Sequence, residues 1–158
     1  MIPLSEFRYR RRVQFPETDA SGIVHFSNFF RYVEEAEHAM WRAAGTSVSE
    51  PGRDIGWPRI AASFEFRWPL RFEDEFEVHL RVVEKTRKTL RYAAVLRRDD
   101  EVIAEGSLTI ICVRRRDGEP PKATSIPPDI AARFAVSADT ARQPTESAES
   151  TGPRGRQA

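Results

Sequence analysis

One stretch of the chain repeats its apolar residues with the period of an α-helix. Between Phe26 and Ala44 these residues recur three or four positions apart, as in a helix that buries one face. Ser27 and Asn28 are residue types that cap helix N-termini, and Gly45 suits the left-handed conformation that ends many helices. The pattern predicts one long helix of about five turns.

Five other stretches alternate apolar and polar residues, which is the pattern of strands with one buried face. They lie at 7–15, 60–68, 76–82, 90–96 and 102–113. In the first stretch Arg11 interrupts the apolar face, and Asp99-Asp100 separates the last two as a hairpin turn. A short helix that begins with proline is predicted at 127–134. The apolar face of the second stretch consists of Ile60, Ala62, Phe64, Phe66 and Trp68.

The elements follow one another as a strand, the long helix and then four strands. The links between consecutive strands are too short for parallel crossovers, so antiparallel pairing is expected. The helix has too broad an apolar face to remain in solvent, and a sheet wrapped around it satisfies both constraints. We therefore expect an α+β protein with the hotdog fold, in which an antiparallel sheet of about five strands surrounds one helix.

The C-terminal segment differs in composition from the rest of the chain. From Ser137 to Ala158 there is no Val, Ile, Leu, Met, Phe, Trp, Tyr or Cys. Such a segment cannot bury enough surface to offset the entropy that ordering it would remove. We predict one folded domain at 1–136 and a disordered, dispensable tail at 137–158.

Composition narrows the classes of function. With 25 Lys+Arg against 24 Asp+Glu the net charge is +1, so we expect no nucleic-acid partner. No apolar run approaches the ~18 residues of a membrane span, and no signal peptide is visible, so a cytoplasmic protein is expected. The lone Cys112 excludes an internal disulfide and a multi-cysteine zinc site. Because the three histidines lie on separate elements and no phosphate-binding glycine loop is present, we expect neither a metal nor a cofactor.

The segment between the first strand and the long helix carries the most chemical information. Asp19 sits in a predicted turn, Gly22 follows it, and the helix opens just beyond. A helix start offers unpaired N–H groups that can polarise a carbonyl and stabilise an oxyanion. Asp19 is close enough in sequence to act on the same substrate carbon as a general base or a nucleophile. The alternative is that Asp19 and Gly22 only build the turn.

The same segment resembles the 4-hydroxybenzoyl-CoA thioesterase family of hotdog acyl-CoA thioesterases. The resemblance covers about 7–134 and is carried by 18–29 and 34–36, more loosely by 87–89, 104–106, 117–118 and 126–127. It implies that Asp19 is the catalytic carboxylate and that the backbone amide of Phe26 polarises the thioester carbonyl. It also implies a dimer, often doubled to a tetramer, with the acyl-CoA cleft between subunits.

Several further residues are candidates for substrate binding. Gly22 and His25 adjoin the catalytic loop, and His25 either steers substrate, relays a proton or packs at the edge of the cleft. The cluster Lys85, Arg87 and Lys88 is a candidate for holding the phosphates of CoA, or is merely solvated. Glu37 lies within the apolar stripe of the helix, where an unpaired carboxylate is costly. We expect it to pair with an inward arginine or to meet solvent or a second subunit, and less readily to serve as a second acid in the cleft.

The sequence therefore predicts an acyl-CoA thioesterase that releases a carboxylic acid and CoA. Two alternatives belong to other classes. One is a hotdog protein that binds acyl-CoA without turnover, although such a binder gains nothing from a carboxylate aimed at a thioester. The other is a hotdog dehydratase or hydratase, which needs a histidine and an acid at one substrate carbon.

Overall fold

The computed structural model describes residues 2–139. One long helix, α1, spans Asn28–Ala43, and the strands of the main sheet are β1 Glu6–Arg12, β3 Arg59–Phe66, β4 Glu75–Lys85, β5 Thr89–Arg98 and β6 Glu101–Ile111. These strands form an antiparallel sheet in the order β1-β4-β5-β6-β3, which packs against α1. The predicted hotdog arrangement is confirmed.

The core lies between α1 and the sheet and follows the two periods of the sequence. The helix buries Tyr32, Ala36 and Met40 completely, and Gly45 ends it with φ of +77°. In β4 and β5 every second residue is buried, as the alternation predicts. The β5–β6 turn falls at the predicted Asp99, whose φ is +52°. Local pattern and tertiary packing agree throughout this central part of the molecule.

Three short strands and a short helix complete the domain. The strands β2 Ile55–Gly56, β7 Val113–Arg114 and β8 Lys122–Ala123 form a small second sheet, and α2 spans Pro128–Ala131. This second sheet was not predicted, because two-residue strands are too short to show alternation of apolar and polar residues. Ser137, assigned to the tail, is buried and donates its backbone N–H to Val82 O at 2.8 Å. The rest of the predicted tail, from residue 140 on, lies outside the described residues.

Three strands differ from the prediction, and one of them, predicted at 102–113, is divided between β6 and β7. The first ends at Arg12 instead of continuing to Phe15, which lies in a 3₁₀ turn with 70% of its surface exposed. In β3 the predicted buried face is largely in solvent, because β3 is an edge strand. Ile60 is 57% exposed and lies at a bulge, and Trp68 falls beyond the strand end. Much of the apolar face of β3 is therefore exposed.

Gly106 in β6 allows β3 to approach closely. A Cβ added there would lie 2.3 Å from Ser63 O and 2.8 Å from Cδ1 of Phe64. Phe64 in turn contacts the rings of Phe29 and Phe30, so this approach places an aromatic cluster between β3 and α1.

Replacing Gly106 by alanine tests this close approach. We expect Gly106→Ala to lower the free energy of unfolding by about 1–3 kcal/mol, because the backbone of Ser63 has to move. Thermal unfolding measures the change, with Ser107→Ala on the neighbouring position as the control. An unchanged melting temperature for Gly106→Ala would contradict the description.

Candidate active site

A compact loop between β1 and α1 presents Asp19. Thr18 and Val24 pair as an antiparallel bridge, and the N–H of Gly22 donates to Asp19 O at 2.9 Å, closing a tight turn. Gly22 has φ of +77°, a conformation that favours glycine. Ile23 forms a second bridge to Arg71, which joins the loop to the segment before β4. The turn interpretation of Asp19 and Gly22 is thus realised in the backbone.

Asp19 also lines an open cleft of about 400 Å³. Its Oδ1 accepts the N–H of Ser21 at 2.8 Å, whereas Oδ2 has no partner among the described residues. The cleft's other lining residues are Ile23, Val24, Phe26, Phe29, Phe66, Arg67, Trp68 and Pro69. One carboxylate oxygen of Asp19 therefore shapes the turn, while the other is without a partner among the described residues in a cleft lined mostly by apolar side chains.

Phe26 lies in the same cleft, in the turn that leads into α1. The N–H groups of Ser27 and Asn28 are used, since they donate to Nδ1 and O of His25. In contrast, the N–H of Phe26 has no acceptor within residues 2–139. An unpaired amide at a helix start is a suitable donor for a polarised carbonyl oxygen. The predicted caps act differently, because Ser27 makes no capping bond and the Asn28 amide donates to Glu17 O at 2.9 Å.

A half-buried carboxylate fixes the loop against the helix. Oε1 of Glu17 accepts Nη1 of Arg11 at 2.6 Å, the N–H of Gln14 at 2.7 Å and the hydroxyl of Tyr32 at 3.0 Å. Burial alone raises the pKa of Glu17, but these three hydrogen bonds outweigh it and hold that pKa below its ordinary value. Glu17 does not line the cleft, so its role is to hold the loop.

His25 is exposed and lies outside the lining of the Asp19 cleft. Its Nδ1 lies 2.7 Å from Oγ of Ser27 and accepts the backbone N–H of the same residue at 3.3 Å. The ring also packs on Phe26, with centroids 4.5 Å apart. His25 therefore contacts the residues at the start of the helix, whereas the sequence alone did not decide its role.

The predicted phosphate-binding residues lie at the other end of the sheet. Nζ of Lys85 donates to Ala131 O at 2.9 Å and Phe134 O at 2.8 Å, which assigns it to holding the C-terminal segment. Arg87 is exposed, with a bond of 3.3 Å to Ser125 Oγ, and the ammonium of Lys88 has no acceptor among the described residues. The structure thus leaves two of the three cations available for an anion.

Glu37 is fully buried and pairs with Arg59, whose Nη2 lies 2.8 Å from its Oε1. The expected inward arginine is confirmed. Glu37 is absent from the lining of the Asp19 cleft, so it is no second acid there. Arg59 lines a second pocket of about 210 Å³ between α1 and β3, together with Phe30, Val33, Glu34 and Phe64 among others.

Several residues that line the cleft were not predicted from the sequence as site residues. Phe66, Arg67 and Trp68 line the cleft because the chain leaves β3 at this point, where the N–H groups of Arg67 and Trp68 both donate to Ile103 O. The interruption of the first apolar face by Arg11 could have indicated the ion pair with Glu17, because an inward cation needs a carboxylate partner.

Comparison with known proteins gives a consistent family. Residues 6–134 match the model of the thioesterase-like superfamily. A provisionally named esterase of Aquifex aeolicus (strain VF5) is 40% identical over 126 residues, which cover 78% of this chain and 94% of that protein. The structure of a gentisyl-coenzyme A thioesterase is 28% identical with a TM-score of 0.72, covering 81% of this chain and 99% of that one. A 1,4-dihydroxy-2-naphthoyl-CoA thioesterase from Synechocystis, 20% identical over 80% of this chain and 95% of its own, shares the fold with a TM-score of 0.73.

The fold and these relatives define a hotdog-fold thioester hydrolase. The chain belongs to the thioesterase-like superfamily. Within residues 2–139, no helix is long and apolar enough to cross a membrane.

Removing the charge of Glu17 tests its role in holding the loop. We expect Glu17→Gln to lower the free energy of unfolding by about 1–2 kcal/mol at neutral pH, because Arg11 loses a charged partner. Because its pKa is lowered by folding, this stabilisation exists above the unfolded pKa and disappears as the pH falls through the folded pKa. Denaturant unfolding of the parent and of Glu17→Gln between about pH 7 and about pH 3 measures the difference in their free energies of unfolding, which should shrink as the pH falls.

Glu35→Gln is the matched control, because Glu35 also binds Arg11 but is more exposed. We expect a smaller effect from it. Equal stability of Glu17→Gln and the parent at neutral pH would show that the loop does not depend on this carboxylate.

Proposed function

We propose that the chain hydrolyses acyl-CoA thioesters, with Asp19 as the base or nucleophile and the Phe26 amide as the oxyanion donor. The observation that carries the proposal is that Asp19 and Phe26 line one cleft, and that within residues 2–139 Oδ2 of Asp19 and the backbone N–H of Phe26 have no hydrogen-bond partner. Membership of the thioesterase-like superfamily supports the reaction class.

The proposed reaction begins with the thioester carbonyl oxygen at the N–H of Phe26. If Asp19 is the base, it removes a proton from water, whose oxygen bonds to the carbonyl carbon and generates an oxyanion. The C–S bond then breaks, and the CoA sulfur leaves with the proton that Asp19 has held. If Asp19 is the nucleophile, its carboxylate oxygen bonds to the carbonyl carbon and the C–S bond breaks, which leaves a mixed anhydride and releases the CoA thiolate. Water then cleaves the anhydride to the carboxylic acid and the Asp19 carboxylate, and the proton freed in this step converts the thiolate to the thiol.

The lining of the cleft favours an aromatic acyl group. Phe26, Phe29, Phe66 and Trp68 line the cleft together with Asp19. Aromatic rings pack well in offset or edge-to-face geometry against one another. Relatives that act on gentisyl-CoA and 1,4-dihydroxy-2-naphthoyl-CoA support the same class. A panel of aromatic, short and long acyl-CoAs with detection of free thiol tests this ranking.

One protomer does not bring all the proposed binding groups together. The last residue of β5, Arg98, donates to the carbonyl of Pro69 in the Asp19 cleft at 3.1 Å. The turn with Arg87 and Lys88 precedes the first residue of the same strand. Because β5 has ten residues, the two sites lie about 30 Å apart along the sheet. A second protomer is therefore part of the proposal.

Pairing of two β3 edges would place the missing cations beside the cleft. In a two-fold antiparallel pair, the Phe66 end of one β3 meets the Arg59 end of the other. Arg59 pairs with Ile110 in β6, and the neighbouring Ile111 pairs with Thr89 of β5. The basic turn of the second protomer would then lie about two strand spacings, roughly 10 Å, from the shared edge.

The two edges of the sheet differ in a way that supports β3 as the contact. The β1 edge carries exposed Arg10 and Arg12, and charges of this kind discourage edge pairing. The β3 edge instead exposes Ile60 and Phe66, and apolar residues of this size on a free edge favour association. We propose a dimer, which can double to a tetramer.

The two alternative functions, a dehydratase and a binder without turnover, are distinguished from hydrolysis in different ways. A dehydratase needs histidine and acid at one carbon, and His25 lies outside the Asp19 cleft. A binder without turnover is distinguished by the absence of free thiol in the substrate panel.

Asp19→Asn is the direct test of the proposed chemistry. Asparagine preserves the side-chain bond to the Ser21 N–H and removes the basicity, so turnover should fall at least ~100-fold. Folding and acyl-CoA binding should persist. The exposed turn residue Asp117 provides the control Asp117→Asn, which should retain parental turnover. A folded Asp19→Asn variant with turnover within about threefold of the parent would overturn the assignment.

Light scattering at micromolar concentration tests the assembly. We expect the mass of a dimer or tetramer of the 18.1 kDa chain. Ile60→Glu places a charge on the β3 edge and should shift the mass towards the monomer, whereas Arg10→Glu on the β1 edge should not. A monomeric parent protein would contradict the proposed site.

A further inference from the structure

Glu37 is a buried acid that the proposed reaction does not use. Its side chain has no exposed surface, and Oε1 accepts Nη2 of Arg59 at 2.8 Å. Oε2 has no hydrogen-bond partner among the described residues. A buried carboxylate with one orphaned oxygen is costly when ionised and less costly when protonated.

The charged groups around Glu37 shift its pKa in opposite directions. On α1, Glu34 binds the same Arg59 nitrogen at 3.3 Å, and Nε2 of His38 lies 4.0 Å from Oε1. On β5, the hydroxyl of Tyr92 accepts Nε1 of Trp41 at 3.0 Å, and on β6 the strand partner of Arg59 is the apolar Ile110. Burial is the largest influence and raises the pKa of Glu37 to about 7, while Arg59 lowers it and Glu34 raises it further.

Arg59 connects this acid to the edge strand. It is the first residue of β3 and is followed by the bulge at Ile60, where pairing with β6 is irregular. Its Nη1 donates to Trp57 O at 3.2 Å, and its side chain lines the 210 Å³ pocket between α1 and β3. The position of Arg59 therefore influences both the start of β3 and the mouth of that pocket.

We infer that Glu37 is a positioning residue whose ionised carboxylate clasps Arg59, so that protonation of Glu37 loosens the start of β3 and the α1–β3 pocket. We call the Glu37–Arg59 pair the clasp. After protonation the half-exposed Glu34 and the Trp57 carbonyl still hold Arg59, but more weakly, because the buried charge is gone. The inference concerns the shape of the pocket and stands whether or not the chain hydrolyses acyl-CoA.

Global stability and local order should respond to pH in opposite directions. Because folding raises the pKa of Glu37, its contribution to stability is full below the unfolded pKa and is lost as the pH rises through about 7. Acidification over this range thus stabilises the fold through Glu37 while it weakens the clasp. A purely structural ion pair with an ordinary carboxylate pKa would give neither response between about pH 5.5 and about pH 8.5.

Tryptophan fluorescence reports the protonation directly. The rings of Trp41 and Trp57 lie 4.9 Å apart beside the clasp, and Trp68→Phe removes the signal from the far end of β3. In this background we expect an inflection near pH 7 that is absent in Glu37→Gln. Glu34→Gln should keep it at slightly lower pH, because Glu34 raises the pKa of Glu37. Absence of the inflection in the parent, or its persistence in Glu37→Gln, would overturn the inference.

Hydrogen exchange of residues 57–63 measures the clasp itself. After correction for intrinsic rates, the parent should show several-fold lower protection at about pH 5.5 than at about pH 8.5, and Glu37→Gln should lose this difference. Arg59→Met should also lose it, while its fluorescence inflection moves to higher pH because Arg59 lowers the pKa of Glu37. This second variant decides the matter even if Glu37→Gln does not fold. Unchanged pH-dependent exchange in Arg59→Met would overturn the inference.

Discussion

The ion pair between Arg11 and Glu17 is the interaction on which the candidate site depends. Within residues 14–27, which carry Asp19, only Val24 is buried, so hydrophobic burial alone does not fix the position of the loop. In addition, Glu17 joins β1, the 3₁₀ turn and α1 through its carboxylate, and its backbone carbonyl accepts the N–H of His25 and the amide of Asn28. The same group therefore fixes both the approach of the loop and the start of the helix.

The acids of this region differ in their surroundings. Glu17 and Glu37 are held by arginines and lie outside the lining of the cleft, whereas Asp19 keeps one oxygen without a partner among the described residues. The difference follows from position, since Asp19 opens a tight turn whose central residues, Ala20 and Ser21, are exposed, and the two glutamates face packed elements. A carboxylate available for chemistry is most easily placed where the backbone turns away from the core.

Much of the fold follows from local pattern, and the exceptions have physical reasons. β4 and β5 are predicted well because central strands have one buried and one solvated face, so Val78 and Leu80 alternate with polar neighbours. The alternation of β3 predicted a buried face that is not observed, because β3 is an edge strand in which apolar residues such as Ile60 remain exposed. Ser137 is buried and its backbone N–H donates to Val82 O, and composition carries no signal for such a contact.

The candidate site is less predictable than the fold. The prediction that Asp19 and Phe26 share one site rests on their closeness in sequence and on the family resemblance of their segment, and both residues line one cleft. Lys85 could not be separated from Arg87 and Lys88, since a cation that caps a carbonyl and one that awaits an anion look alike in sequence. The separation of Asp19 from the basic turn by the length of β5 also requires the topology, which places them at opposite ends of one sheet.

The central claim is that the site combines Asp19 of one protomer with the basic turn of another. Complementation measures this most directly: inactive Asp19→Asn subunits are unfolded and refolded with subunits in which Arg87 and Lys88 are both serine. At equal mixing, about half of the dimers are mixed and each has one intact site, so about a quarter of parental turnover should return. If the mixture is no more active than the average of the two variants, each site is built within one protomer and the claim is wrong.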